Sequence, residues 1–268
     1  RFNTSTGLTL VADIGGPESG QPVILLHGGG QTRHSWRKAA LELAGEGYRV
    51  ISLDLRGHGE SQWCPEGRYS LDDHIADLNV VIDSLRSAPV LVGASLGGVV
   101  SLVGQGEQRL PRASALVLVD VVPRMEAEGI QEIFNFMSAN PDGFASVDAA
   151  ADAVAEYLPD RPRRSGTQGL LKNLRQRDDG RYYWRWDAAR RAQGGSADHM
   201  EAMARRMEKA AKQIDLPTLV VRGAQSRVVS AEGVAQLAKL IPHASHVDVA
   251  AAGHMVAGDQ NDEFNAAI

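Results

Sequence analysis

The sequence predicts an α/β fold: a mostly parallel central sheet flanked by helices. Over the first 120 residues, short runs that are apolar throughout alternate with helical patterns, and the same rhythm returns after residue 214. A strand that is apolar at every position must be covered on both faces, which is the condition of a parallel sheet. Between residues 123 and 214 the strand signal disappears. That stretch reads as helical and polar, broken at Asn140-Pro141, Pro159, Pro162 and Gly194-Gly195. The expected organisation is a core made of residues 1–122 and 215–268, with a helical insertion at 123–214.

Each element has its own signal. Residues 21–26 (QPVILL) form a buried strand that stops at His27-Gly28-Gly29-Gly30. Residues 49–55 (RVISLDL) form a second, ending at Arg56-Gly57-His58-Gly59. Leu71, Ile75, Leu78, Ile82 and Leu85 then carry helical spacing, with Ser70 as N-cap ahead of Asp72 and Asp73. Residues 88–92 (APVLV) run up to Gly93, and 113–119 (ASALVLV) end at Asp120. Beyond the insertion, 217–221 (PTLVV) lead to Gly223, 231–240 are helical, and 246–249 end near Gly253-His254.

Composition bounds the function. A chain of 268 residues with 43% hydrophobic and 23% charged residues is an ordinary globular protein with length for a sizeable core. A net charge of −5 argues against a general nucleic-acid binder. The single cysteine, Cys64, excludes a disulfide framework and a multi-cysteine metal site. No apolar run reaches membrane-spanning length, and no signal segment opens the sequence. The chain starts at Arg1 and stops at Ile268 within a helical pattern, as expected if residues are missing at both ends. Charge is uneven: residues 161–212 carry +8 and the remainder −13.

The sharpest chemical signal is Gly93-Ala94-Ser95-Leu96-Gly97-Gly98, a G-x-S-x-G sequence between an apolar strand and a helix-forming run. A tight strand-to-helix turn strains its middle residue, and bulk on either flank would clash. It would lift the Ser95 hydroxyl above the sheet edge and set the Leu96 N–H beside a developing oxyanion. The plainer reading is a glycine-rich turn with an incidental serine. In the run His27–Gly30, glycines let the backbone approach a ligand, and Gly29 is the candidate second oxyanion donor. Alone, that run would be an ordinary turn.

A serine hydroxyl needs a base. Among eight histidines, His254 follows the last strand on a glycine-rich loop, and the strand ends of a parallel sheet converge on one edge. A lone loop histidine is more often a surface residue; behind a serine turn, His254 is the candidate. His27 and His58 are expected to brace their loops by hydrogen bonds.

Together these pieces resemble the α/β-hydrolase fold family, in the branch of cofactor-independent esterases, perhydrolases, carbon–carbon bond hydrolases and epoxide-hydrolase-like proteins. The resemblance covers nearly the whole chain. It rests on the order of His27–Gly30, Asp54-Leu55-Arg56-Gly57-His58-Gly59-Glu60-Ser61, Gly93–Gly98 and Gly253-His254-Met255. It implies Ser95 as nucleophile, His254 as base, Gly29 and Leu96 N–H groups as oxyanion hole, and residues 123–214 as a helical cap. One part departs: where the family usually carries its triad acid, after the penultimate strand, the chain reads Gly223-Ala224-Gln225-Ser226. Asp120, ending the preceding strand, is the best substitute. Its alternative role is to cap the entry turn of the insertion. Asp259 and Asp248 are weaker candidates, and a dyad without an acid stays open. Epoxide hydrolases and haloalkane dehalogenases need a carboxylate where Ser95 stands, so their chemistry is excluded.

The aromatic run Tyr182-Tyr183-Trp184-Arg185-Trp186 makes Trp184 and Trp186 candidates for the pocket wall, against simple packing between cap helices. Trp36 and Met255 are further candidates. The basic balance of the cap fits an anionic substrate or, more simply, a solvated helix face. The leading function is a serine hydrolase of a small ester, thioester or activated carbonyl. Alternatives are carbon–carbon bond hydrolysis of a diketone-like substrate, and ligand binding or signalling with weak turnover. The expected partner is a small-molecule substrate, with no cofactor, metal, nucleic acid or membrane, in the cytoplasm. Nothing in the sequence sets an oligomeric state.

Overall fold

The computed structural model describes residues 1–158, 167–189, 196–250 and 252–253. The chain opens on a short antiparallel ribbon of β1 (Phe2–Asn3) and β2 (Thr9–Leu10), followed by β3 (Ala12–Gly15), β4 (Pro22–Leu26), α1 (Arg37–Gly45) and β5 (Arg49–Leu53). Next come α2 (Leu71–Asp83), β6 (Val90–Ala94), α3 (Leu96–Gly106) and β7 (Ala115–Val119). Then follow α4 (Ala127–Ser138), α5 (Val147–Tyr157), a hairpin of β8 (Leu174–Gln176) and β9 (Tyr182–Trp184), and α6 (Ala197–Ala211). The last described elements are β10 (Thr218–Gly223), α7 (Ala231–Leu240) and β11 (Ser245–Val249).

The main sheet has seven strands in the order β11-β10-β7-β6-β4-β5-β3, all parallel except β3, which runs antiparallel to β5 at the edge. Its continuous apolar runs are explained by burial on two sides. In β4, Ile24 and Leu26 join one core with α2, α3 and α7, while Val23 and Leu25 join a second core with Trp36 and Ala39. In β7, Leu116 and Leu118 divide from Val117 and Val119 in the same way. Helix α2 starts where its N-cap predicts. Ser70 Oγ accepts the Asp73 N–H at 3.2 Å, and the Asp73 carboxylate accepts the Ser70 N–H at 3.0 Å.

Chain order creates the site. The chain leaves β4 on one side through β5 and returns to its other side through β6. Neighbouring loops therefore diverge above β4 and β6, opening a crevice at the carboxyl edge of the sheet. His27–Gly30 and Ser95 stand at that edge.

Two parts differ from the sequence pattern. Strands β1–β3 precede the first one expected, because two to four half-exposed residues are too short to show a period. Within the predicted helical insertion, Tyr182–Trp184 form a strand. Aromatic side chains fit a pleated surface, and β9 is held by β8 and by a bridge from Phe144 to Tyr182. No helix among the described residues is long and apolar enough to cross a membrane.

The loop after β5 is anchored by charge. Arg56 is fully buried, and its guanidinium donates to both Asp77 oxygens on α2, each at 2.6 Å. Burial pushes the Asp77 carboxyl above its ordinary range while Arg56 pulls it back. Removing one partner of such a pair strands a charge in the interior. We expect Asp77→Ala to lower unfolding free energy by about 3–5 kcal/mol in urea titration, and Arg56→Met with Asp77→Leu to lower it by less.

Candidate active site

Ser95 sits in the turn between β6 and α3 at φ 45 and ψ −111. That region is costly for a residue with a Cβ and persists only where neighbours enforce it. The Ser95 N–H donates to Val119 O at 3.0 Å, and Gly97 N–H donates to His27 O at 3.2 Å. The flanks have no room: a Cβ on Gly93 would lie 2.5 Å from the Gly97 carbonyl carbon, and one on Gly97 would lie 2.4 Å from Leu26 O. The turn therefore packs backbone against backbone and leaves Ser95 half-exposed above it.

Asp120 directly follows β7 in a similarly unusual conformation, φ 47, and is 1% exposed. Its Oδ1 accepts the Gly223 N–H at 3.1 Å and its Oδ2 accepts the Ser226 hydroxyl at 2.6 Å. The direction of the second bond is determined. Ser226 Oγ accepts from the Val228 and Val229 N–H groups at 3.2 and 3.1 Å, so its one proton goes to Asp120.

The glycine run is held from behind by the two histidines. His27 Nδ1 donates to Gly28 O at 2.8 Å, and its Nε2 accepts the Leu55 N–H at 3.0 Å. His58 Nδ1 donates to Arg56 O at 3.1 Å, and its Nε2 accepts the Gly30 N–H at 3.2 Å. Each ring is thereby a neutral tautomer with both nitrogens engaged. The Gly28 N–H is taken by Gln31 Oε1 at 3.0 Å. Among the described residues, the N–H groups of Gly29 and Leu96 make no hydrogen bond.

Ser95, Leu96 and Gly28–Gly30 line a cavity of about 630 Å³. Its other walls come from α4, α5, α6 and β9, so the 123–214 segment supplies most of the surface facing Ser95. Trp184 and Trp186 stack at 4.8 Å between ring centres, and both line it. The 185–187 chain is fastened to the loop after β5, with Gly59 N–H donating to Arg185 O at 2.7 Å and Asp187 N–H to Gly57 O at 2.8 Å. Arg124 also lines the cavity, but its guanidinium is occupied by Glu208 at 2.6 Å and Glu201 at 2.8 Å. Those bonds raise the Arg124 pKa further and hold Glu201 below its ordinary range.

Comparison with known proteins agrees with this geometry. The family model described as alpha/beta hydrolase fold matches residues 21–259. The chain belongs to the alpha/beta hydrolase fold family. An esterase of Mycobacterium tuberculosis is 31% identical over 247 residues, covering 89% of this chain and 78% of that protein. A protein phosphatase methylesterase of Schizosaccharomyces pombe is 30% identical over 174 residues, 62% of this chain and 51% of that one. Among solved structures, E-2-(acetamidomethylene)succinate hydrolase superposes with a TM-score of 0.83 at 25% identity, covering 100% of this chain and 96% of its own.

Against the sequence reading, this hydrolase brings Ser95, Leu96, Gly29, Trp184 and Trp186 to one cavity. Asp120 is buried at the same edge of the sheet. His254, Met255 and Asp259 lie outside the described residues. Trp36 is a correction: it does not line the cavity. A 3-10 turn over Arg33–Trp36 carries its indole into the core, where it is 1% exposed among Val23, Leu25 and Val50. Asp248 is engaged elsewhere, in an ion pair with Arg222 at 2.7 Å. Sequence reasoning missed the methionines of the cavity wall. The spacing of Met200, Met203 and Met207 on one face of α6 was the available signal.

The packing of the turn is testable without knowing a substrate. Gly97→Ala forces a Cβ into Leu26 O, and overpacking of this kind costs about 1–3 kcal/mol. We expect its thermal midpoint to fall by several degrees, roughly 2–4 °C per kcal/mol for this size. Gly45→Ala, at the end of α1 with nothing within 4 Å of the new methyl, should not lower it.

Proposed function

We propose that this chain is a serine hydrolase of carboxylic esters, with Ser95 as nucleophile, His254 as base and Asp120 as the acid that orients it. One observation carries the reading: the strained Ser95 turn lines a large cavity together with Gly29 and Leu96, whose N–H groups have no partner among the described residues. Nothing in the packing of the turn needs a hydroxyl there, whereas the strain is what exposes it.

In this reading the Ser95 Oγ attacks the ester carbonyl as its proton passes to His254. The carbonyl oxygen gains charge and is held by Gly29 and Leu96 N–H groups, the latter at the positive end of α3. The tetrahedral adduct collapses, and His254 returns the proton to the departing alcohol oxygen. Water then attacks the acyl-enzyme, gives a proton to His254, and the acid leaves as Ser95 recovers its hydrogen. Support for His254 comes from its neighbour. A Cβ on Gly223 would lie 2.3 Å from Gly253 O, and the Gly223 N–H donates to Asp120. The chain reaches position 253 directly beside the acid. The 123–214 segment serves as a cap that shapes the substrate pocket.

Ser226 explains how a triad can lack an acid on the loop after β10. A hydroxyl stands there instead and donates across to Asp120. The carboxylate comes instead from the end of the neighbouring strand β7, and the hydroxyl at position 226 supports it.

A fluorophosphonate probe should label Ser95 and no residue in Ser95→Ala, read by peptide mapping. Nitrophenyl acetate turnover should fall by at least about 10⁴-fold in Ser95→Ala and about 10³–10⁴-fold in Asp120→Asn. Ser226→Ala loses one hydrogen bond to a charged group and should lower kcat about 10–100-fold, with Ser226→Thr recovering most of it. Labelling elsewhere, or full turnover by Ser95→Ala, would remove the reading.

A further inference from the structure

Five of the chain's six methionines, Met125, Met137, Met200, Met203 and Met207, line the one cavity that holds Ser95. They come from the loop after β7, from α4 and from α6, so no single helical stripe collects them. Apolar neighbours on the same wall include Ile130, Ile133, Phe134 and Leu170. The lining cation among the described residues, Arg124, is occupied by two glutamates. The lining is thus mostly apolar, with Asn173, Asp187, His199 and Glu201 among its polar members, and it is rich in unbranched thioethers, which change rotamer readily and fit groups of varying shape.

We propose that the hydrolase acts on uncharged esters with a medium-length apolar acyl chain, and that Met200 and Met203 set this preference. The inference rests on the serine-hydrolase reading and names its substrate class. The acyl half is assigned to the methionine wall for a chemical reason. The alcohol must leave to solvent before water enters, whereas the acyl group stays on Ser95 through both steps. Met200 and Met203 are half-buried in the lining, whereas Met207 is packed into the core behind them, so the first two are the ones a retained group can touch. A methionine wall also predicts tolerance: branched and straight chains of similar size should be accepted alike.

The test has two arms. In the first, kcat/KM is measured for nitrophenyl acetate, butyrate, octanoate and hemisuccinate. Each buried methylene can raise it about fourfold, so octanoate should exceed acetate by at least about 30-fold, with hemisuccinate below butyrate. Met203→Trp fills the wall and should cut the octanoate-to-acetate ratio at least about tenfold. Met203→Leu, of similar volume, should keep it within about threefold. Met200→Trp replaces Met203→Trp if the latter does not fold. The second arm needs no turnover. The neutral fluorophore N-phenyl-1-naphthylamine should bind Ser95→Ala at one site, be displaced by methyl octanoate and not by dimethyl succinate, and bind at least about tenfold more weakly when Met203→Trp is added. Acetate or hemisuccinate as the best ester overturns the proposal, as does a tryptophan variant with unchanged ratio or binding. If the probe fails to label Ser95, the hydrolase reading falls, and the second arm alone decides whether the apolar pocket stands.

Discussion

The constraint on which the candidate site depends is the steric one at the turn carrying Ser95. Strand β6 must end, reverse into α3 and place one residue at positive φ, all within the space left by Leu26 and by the backbone of Gly97 and Gly98. Every neighbouring feature follows from that. The sheet must be parallel, so that β4, β6 and β7 end together. The residues flanking Ser95 must lack bulk. The first helical N–H groups then face the same edge as the serine, with Gly97 spent on His27 O and Leu96 left over among the described residues.

Around this turn the polar groups are arranged so that backbone positions are held by partners that do not react. His27 and His58 lie at the edge where a catalytic imidazole would act, yet both ring nitrogens of each are bound to backbone. Their rings meet edge to face at 4.8 Å. They fix the glycine loop against the loop after β5, and buried Arg56 fixes that loop to α2. Asp54, fully buried, adds a third tie by accepting the Arg33 and Glu60 N–H groups at 2.7 and 2.9 Å. The oxyanion candidates therefore sit on a scaffold stiffened from below, which is what preorganised donors require.

The 123–214 segment is joined to the sheet by a different kind of contact. Arg206 on α6 bonds Glu107 beyond α3 at 2.7 Å and Asp72 on α2 at 2.6 Å. These pairs are partly exposed and individually worth little. The buried alanines and Met207 of α6 against α3 contribute the hydrophobic part of the attachment. The same helix turns Met200 and Met203 to the cavity. One amphipathic helix thus fastens the insertion and lines the pocket.

Local chemistry written in the chain was enough to determine the parallel strands of the main sheet, the α2 cap at Ser70, the serine turn and the glycine run. Each depends on residues within a few positions of one another: continuous apolar runs, a side chain that can accept an N–H, glycines where bulk would clash. The basic balance of residues 161–212 was legible too, but its meaning was not, because charge along a chain does not say which guanidinium meets which carboxylate. Tertiary structure alone decided that Trp36 faces the core and Trp184 the cavity, since both are large aromatics in polar surroundings and differ only in what packs over them. It also decided that Ser226 donates to Asp120, residues 106 positions apart in sequence whose meeting depends on β7 and β10 lying side by side in the sheet. The methionines of the cavity come together for the same reason: the spacing on α6 marks one helix face, but that Met125 and Met137 join it follows only from three segments converging in space.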